Sequence, residues 1–213
     1  MKKVILLAAA LFVAVASFAQ NEYNYQKRSL FEQLPIRGND IVFLGNSITD
    51  GCEWAELFNN RHIKNRGISA DRSGWLLDRL DPIVNGHPKK LFLMIGTNDL
   101  LSDGNNATLA DRLDSVSQNL LNDMDTIVEA MFQANEHANV IILTIPCWTR
   151  HSNGNSDATH QAVSDYNDRL KTWGNGRQNV TVIDINAGII DVTSSTPFYG
   201  VSSMFNNPGS DGL

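Results

Sequence analysis

The sequence is short of nearly every feature that would mark a specialised chain. Its 213 residues include only two Cys and six Pro, which excludes a disulfide framework and a Pro-rich extended chain. There is no fixed-period repeat, no run of heptads and no low-complexity linker, so solenoid, coiled-coil and scaffold architectures are set aside. CxxC, HExxH and clustered His are all missing, which leaves a metal site without support, and no cofactor is expected. Positive charge is scarce as well. With 17 Lys+Arg against 23 Asp+Glu the formal net charge is -6, a balance with no footprint for nucleic acid or an anionic membrane surface.

What is present describes one ordinary globular domain. A 42% share of hydrophobic residues with 19% charged is too apolar for a disordered chain and sufficient for a real core. The first residues read as targeting. Lys2 and Lys3 precede an apolar run from Val4 to Ala16, and Ser17-Phe18-Ala19 places small residues at the two positions a signal peptidase reads. That run is shorter than the ~20 apolar residues a membrane helix needs. We expect residues 1–19 to be a signal peptide, residues 20–39 a polar leader and residues 40–213 the folded domain, exported to the periplasm or beyond. Export would permit a Cys52–Cys147 bridge; geometry decides whether one forms.

Short runs rich in Ile, Val, Leu and Phe then recur: Ile41–Leu44, Leu91–Ile95, Val140–Leu143 and Val180–Ile183, with Ile63–Ile68 a weaker fifth. Such runs suit strands buried on both faces. Between them the period turns helical. Leu109, Leu113, Val116, Leu120, Met124, Ile127, Val128 and Met131 form one long amphipathic stripe, and Val163, Tyr166, Leu170 and Trp173 form another, stopped at Gly174. Shorter helices are expected from near Glu53 and around Trp75–Leu80. Strands alternating with helices imply an α/β fold, with a parallel sheet covered on both faces. In such sheets ligands bind beyond the carboxyl ends of the strands, which selects the loops after Leu44, Ile68, Ile95, Ile145 and Ile185.

The first of these loops reads Gly45-Asn46-Ser47-Ile48-Thr49-Asp50-Gly51. A Ser at a strand-to-helix turn is a candidate nucleophile, and equally a helix cap or turn residue. The second, Asn65-Arg66-Gly67-Ile68-Ser69, contains a glycine whose N–H can approach a substrate. The third, Gly96-Thr97-Asn98-Asp99, offers a side-chain amide, or a plain Asx turn.

Taken together the three loops resemble the signature blocks of the SGNH hydrolases, the GDSL lipase/acylhydrolase family, in order and on the expected strands. Asp211-Gly212-Leu213 resembles the opening of that family's last block, Asp-x-x-His. The resemblance implies a three-layer α/β/α sandwich with a parallel sheet of about five strands, and no cofactor. It also implies Ser47 as nucleophile, Asp211 as orienting partner of a catalytic His, and an oxyanion hole from the N–H groups of Ser47 and Gly67 with the Asn98 amide. The residue after Leu213 is where that His would stand, so we expect the reading frame to continue into it and a closing helix. Asp157-Ala158-Thr159-His160 has the same spacing, but its place at the start of a helix makes His160 a helix residue; His151 follows the fourth strand, and His62, His87 and His137 fall in connections. Asn46 replaces the Asp of the family's name motif and keeps an acceptor oxygen.

The residues around Ser47, with Glu53-Trp54-Ala55-Glu56-Leu57-Phe58, resemble acetylhydrolase-like members in exported bacterial proteins. O-acetylated carbohydrate is therefore the expected substrate class, with Trp148 and Arg150 as candidate contacts to the sugar. Lysophospholipase or thioesterase activity, or a non-catalytic protein that binds an ester or glycan, are the alternatives.

Overall fold

The computed structural model of the chain describes residues 22–101, 109–146 and 156–188. A helix α1 over residues 22–33 comes first, followed by β1 (Ile41–Gly45), α2 (Ser47–Asp50), α3 (Trp54–Leu57), β2 (Ile63–Gly67), α4 (Ser73–Leu77) and α5 (Asp81–Val84). Then come β3 (Lys90–Met94), α6 (Thr97–Leu101), α7 (Leu109–Ala134), β4 (Asn139–Leu143), α8 (Ser156–Gly174), β5 (Val180–Ile183) and a 3-10 turn at Ile185–Gly188. The five strands form one sheet in the order β2-β1-β3-β4-β5, and every pairing is parallel. Parallel neighbours require crossovers, and the helices between the strands supply them.

Register settles which side chains share a face. Val42, Leu44, Leu91, Leu93, Val140 and Ile142 point to one side and are buried in a single core with Leu76, Ile83, Leu120, Met124, Ile127, Val163, Tyr166 and Leu170. The stripes read from α7 and α8 are thus the surfaces that cover this face. On the other side Phe43 stacks on Phe92 and on Trp54 of α3, each with ring centroids 4.6 Å apart. The layers are α/β/α, as expected. Cover on this second face thins toward β5, where Thr181 and Ile183 are exposed. That strand differs from the doubly buried reading: it is an edge with one packed face.

The polar segment 20–39 also holds more structure than its composition showed, because residues 22–33 are helical. Its anchors are polar and aromatic groups rather than an aliphatic stripe. Phe31 is buried under the Arg66 guanidinium, 4.7 Å from the ring centroid, and Lys27 pairs with Asp50 at 2.8 Å. In this way α1 braces β2, the outermost strand on that side of the sheet.

Candidate active site

The carboxyl ends of β1, β2 and β3 bring the three sequence blocks to one edge of the sheet. Ser47 is the first residue of α2 and its side chain is exposed, whereas Asn46 before it is 1% exposed. Asn46 is the helix cap: its Oδ1 accepts the Ile48 N–H at 3.1 Å. The acceptor role expected of Asn46 is met, and the Ser47 hydroxyl is not spent on capping. The turn is compressed as well. A Cβ on Gly45 would lie 2.3 Å from Thr49 Oγ1 and 2.4 Å from Met94 O, so only glycine lets β1 turn this sharply into α2.

Gly67 requires a correction. Its N–H donates to Asn65 Oδ1 at 2.8 Å, so the donor assigned to the oxyanion hole is already engaged. A Cβ at Gly67 would come within 2.2 Å of the Asp50 backbone nitrogen. The glycine is required by the close seat of α2 on β2, not by a ligand. Among the next four N–H groups, Ile68 donates to Gly45 O at 3.1 Å, Ser69 to Asp50 Oδ2 at 3.1 Å and Asp71 to Ile68 O at 3.2 Å. The N–H of Ala70, whose φ is +67°, has no acceptor among the described residues. A non-glycine residue in this region carries strain, and here the strain turns one backbone donor away from the loop's own bonds.

Asn98 is half-buried in α6 and donates one amide hydrogen to Asp71 O at 2.8 Å. That bond fixes the amide against the Gly67–Asp71 loop and leaves its second hydrogen. Ser47, the 67–71 loop and Asn98 thus belong to one connected assembly. Below it lies a buried ion pair. Arg79 Nε and Nη2 meet Asp71 Oδ2 at 2.8 and 2.7 Å, while Nη1 binds Arg66 O at 2.9 Å and Nη2 binds Gly45 O at 3.2 Å. The guanidinium ties together the ends of β1 and β2 and the loop that seats Asn98.

Two further residues hold the turn. Asn65 Nδ2 donates to the carbonyls of Thr49, Asp50 and Cys52 at 2.9, 3.1 and 3.0 Å, which secures the end of α2. Asp50 receives the Ser69 hydroxyl at 3.1 Å, the Tyr23 hydroxyl and the Lys27 ammonium. Burial alone would push the Asp50 carboxyl up; Lys27, Tyr23 and Ser69 overcome this and hold it below its ordinary value. Burial and the facing Asp50 charge push the Tyr23 hydroxyl up to about 12. No local pattern marked the roles of Asn65, Asp71 and Arg79, since their partners are brought together only by the fold.

None of three histidines is placed to serve Ser47. His62, His87 and His137 precede β2, β3 and β4, at the amino edge of the sheet. A strand of five residues, ~16 Å at the usual rise, separates that edge from Ser47. His62 faces Asp40 at 3.4 Å and His87 faces Ala134 O at 2.6 Å. His160 lies within α8, as expected. Asp211, Trp148, Arg150, His151 and Cys147 lie outside the described residues; Cys52 is a free thiol. Among the described residues no cluster of His, Cys, Asp and Glu could hold a metal, and no helix is long and apolar enough to cross a membrane.

Comparison with known proteins agrees with the fold described above. The family model for GDSL-like lipases/acylhydrolases matches residues 43–203. A Streptococcus pneumonia protein provisionally described as a platelet activating factor superposes with a TM-score of 0.71 at 20% identity, over 92% of this chain and 93% of its own. A GDSL-like lipase from Bacteroides thetaiotaomicron gives 0.63 at 17% identity, over 86% and 92%. For a mutant of a Geobacillus acetyl-xylooligosaccharide esterase the values are 0.52 at 18% identity, over 72% and 78%. At these identities the structures show a shared fold. No curated protein sequence matches the chain.

Proposed function

The chain belongs to the GDSL-like lipase/acylhydrolase family, and from that premise we propose that it is an exported serine esterase that removes acetyl or other short acyl groups from carbohydrate. The observation that carries the reading is Ser47 itself. Its side chain is exposed at the end of β1, and the cap it would otherwise supply is made by Asn46. A hydroxyl held in that position without a structural task is available as a nucleophile.

The reaction is acyl transfer in two steps. Ser47 Oγ attacks the ester carbonyl carbon while its proton passes to an imidazole base oriented by Asp211, and the alcohol leaves with that proton. Water then repeats the sequence on the acyl-Ser47 ester and releases the carboxylic acid. Negative charge on the carbonyl oxygen is received by the N–H of Ser47, the N–H of Ala70 in place of Gly67, and the second amide hydrogen of Asn98. Arg79 and Asn65 touch no reacting atom and act by positioning these donors. Trp148 and Arg150 are kept as contacts to the sugar, the alcohol that leaves in the first step.

An acetyl group needs little room, and structures of similar fold include both an acetyl-xylooligosaccharide esterase and a phospholipase A1. The test is therefore chain length and leaving group. With the protein expressed from its complete reading frame, p-nitrophenyl acetate should be hydrolysed at least tenfold faster than the octanoate, acetate should be released from acetylated xylan, and a fluorophosphonate should label Ser47. Preference for the octanoate would move the reading to lipids, and absence of labelling would remove the nucleophile.

A further inference from the structure

We propose that the groove between α1 and α4 is a carbohydrate subsite, which holds the neutral sugar rings of the substrate whose ester meets Ser47. This rests on the esterase reading above and adds to it where the leaving group lies. The groove has a volume of about 540 Å³ and is lined by Asn24, Tyr25, Arg28 and Glu32 of α1, by Trp75 of α4 and by Ala70. Ala70 connects it to the chemistry. The same residue presents the unengaged N–H, between Ser69, bound to Asp50, and Asp71, whose carbonyl seats Asn98.

The lining selects the ligand class. Trp75 is 46% exposed and Tyr25 69% exposed, large areas of aromatic surface to leave in water beside a concave site. Arg72 lies 5.7 Å from the Trp75 ring centroid and steadies the indole. Aromatic rings present an apolar body that suits the C–H face of a pyranose, while the polar groups between them suit its hydroxyls. An acyl chain would need aliphatic walls, and Ala70 is the single aliphatic residue of the lining. Charge argues against a phosphate headgroup, because Arg28 is balanced by Glu32 and Asp78 in the same groove. Arg28 also donates to Asp78 O at 2.9 Å, which holds its guanidinium across the wall with other donors left over.

The experiment uses two readouts on the complete protein. Ser47→Ala is titrated with xylotetraose, mannotetraose and chitotetraose while indole fluorescence is followed; at least one should bind, and adding Trp75→Ala should weaken that binding about tenfold, the scale of one lost stacking contact. On the active enzyme, Trp75→Ala should lower the ratio of kcat/KM for acetylated xylotetraose to that for p-nitrophenyl acetate, again about tenfold. Tyr25→Ala, on the opposite wall, should act in the same direction and guards against misfolding of the Trp75 variant. Binding of none of the three sugars, or binding and ratio unmoved by both variants, would overturn the proposal. If a sugar binds through Trp75 while wild type cleaves no ester, the esterase reading fails and the subsite stands.

Discussion

Asn65 and Gly67, two residues apart on β2, are locked to each other and to the turn that carries Ser47. Asn65 Oδ1 accepts the Gly67 N–H at 2.8 Å while its Nδ2 spans the carbonyls of Thr49, Asp50 and Cys52. One amide thus uses acceptor and donor at once to fasten α2 to the strand beside it. Asn65→Ala leaves several partly buried groups unmatched and should lower the unfolding free energy by about 2–3 kcal/mol, read by urea denaturation. Asn65→Asp keeps the acceptor but sets a carboxylate against three carbonyls, and should cost at least as much. A loss below ~0.5 kcal/mol for the alanine variant would mean the network is incidental.

Gly67 and Asn98 entered together as oxyanion donors, and substitution separates them. Gly67→Ala drives a Cβ into the α2 backbone, so the protein should lose stability or solubility as a whole. Asn98→Ala should fold, with kcat lower by ~10²–10³ and KM little changed. A soluble Gly67→Ala enzyme with an unchanged melting temperature and a selective loss of kcat would restore Gly67 to the hole.

Ser47 and Asn46 are expected to divide chemistry from structure in the same way. Ser47→Ala should abolish fluorophosphonate labelling and reduce turnover by on the order of 10³-fold or more, with the melting temperature unmoved, since the side chain is exposed and caps nothing. Asn46→Ala removes the bond to the Ile48 N–H and should cost about 1 kcal/mol. Thermal unfolding of the pair, run beside turnover, tells the two roles apart.

Much of this was legible in the sequence for a physical reason. A parallel sheet buries its central strands on both faces, so β1, β3 and β4 stand out as apolar runs, and a two-layered cover forces α7 and α8 into clean stripes. The first and third sequence blocks were legible because each sits directly after such a run, whereas the second overlaps the polar strand β2. What escaped was fastened by long-range polar bonds. Helix α1 reads as a polar leader because its partners, Asp50, Arg66 and Asp71, lie 23 to 47 residues away in the chain, from Lys27–Asp50 to Asn24–Asp71. Gly67 was misread because a glycine needed for close approach and one needed for donation look alike, and only the bond to Asn65 tells them apart.

The Asp50 carboxyl sets an acid limit. Its folded value lies below the ordinary one, so the stability it contributes is fully present above the unfolded value of about 3.9 and is lost as pH falls through the folded value. Wild type should therefore weaken below about pH 4, with α1 detaching from the turn first because Lys27 and Tyr23 lose their partner. Asp50→Asn should be less stable at pH 7 by about 1–2 kcal/mol, the worth of hydrogen bonds to a charged group, and its stability should change less between pH 4 and pH 2.5. Equal acid slopes for the two proteins would place the acid-sensitive group elsewhere.

A second carboxylate works with the opposite sign. The Ser73 hydroxyl lies 2.8 Å from Asp99 Oδ1 and 2.6 Å from Asp123 Oδ2, yet it has one hydrogen to give, so with both acids ionised one of these contacts is oxygen against oxygen. Burial pushes the Asp99 carboxyl up despite the Ser73 bonds and the Arg72 charge, and Tyr166, with its hydroxyl buried nearby, is pushed up by burial and by both acids. A carboxyl raised on folding makes the native state hold its proton longer than the unfolded chain, so stability falls as pH rises from about 3.9 through the folded value and is level above it. Asp99→Asn removes the carboxyl that burial raises and puts there an amide that can donate where two oxygens now face each other. The variant should match or exceed wild type at pH 7.5 and show a shallower decline from pH 4.5 upward in urea unfolding. A loss of more than ~1 kcal/mol at pH 7.5 would show instead that the two carboxylates are both needed where they stand.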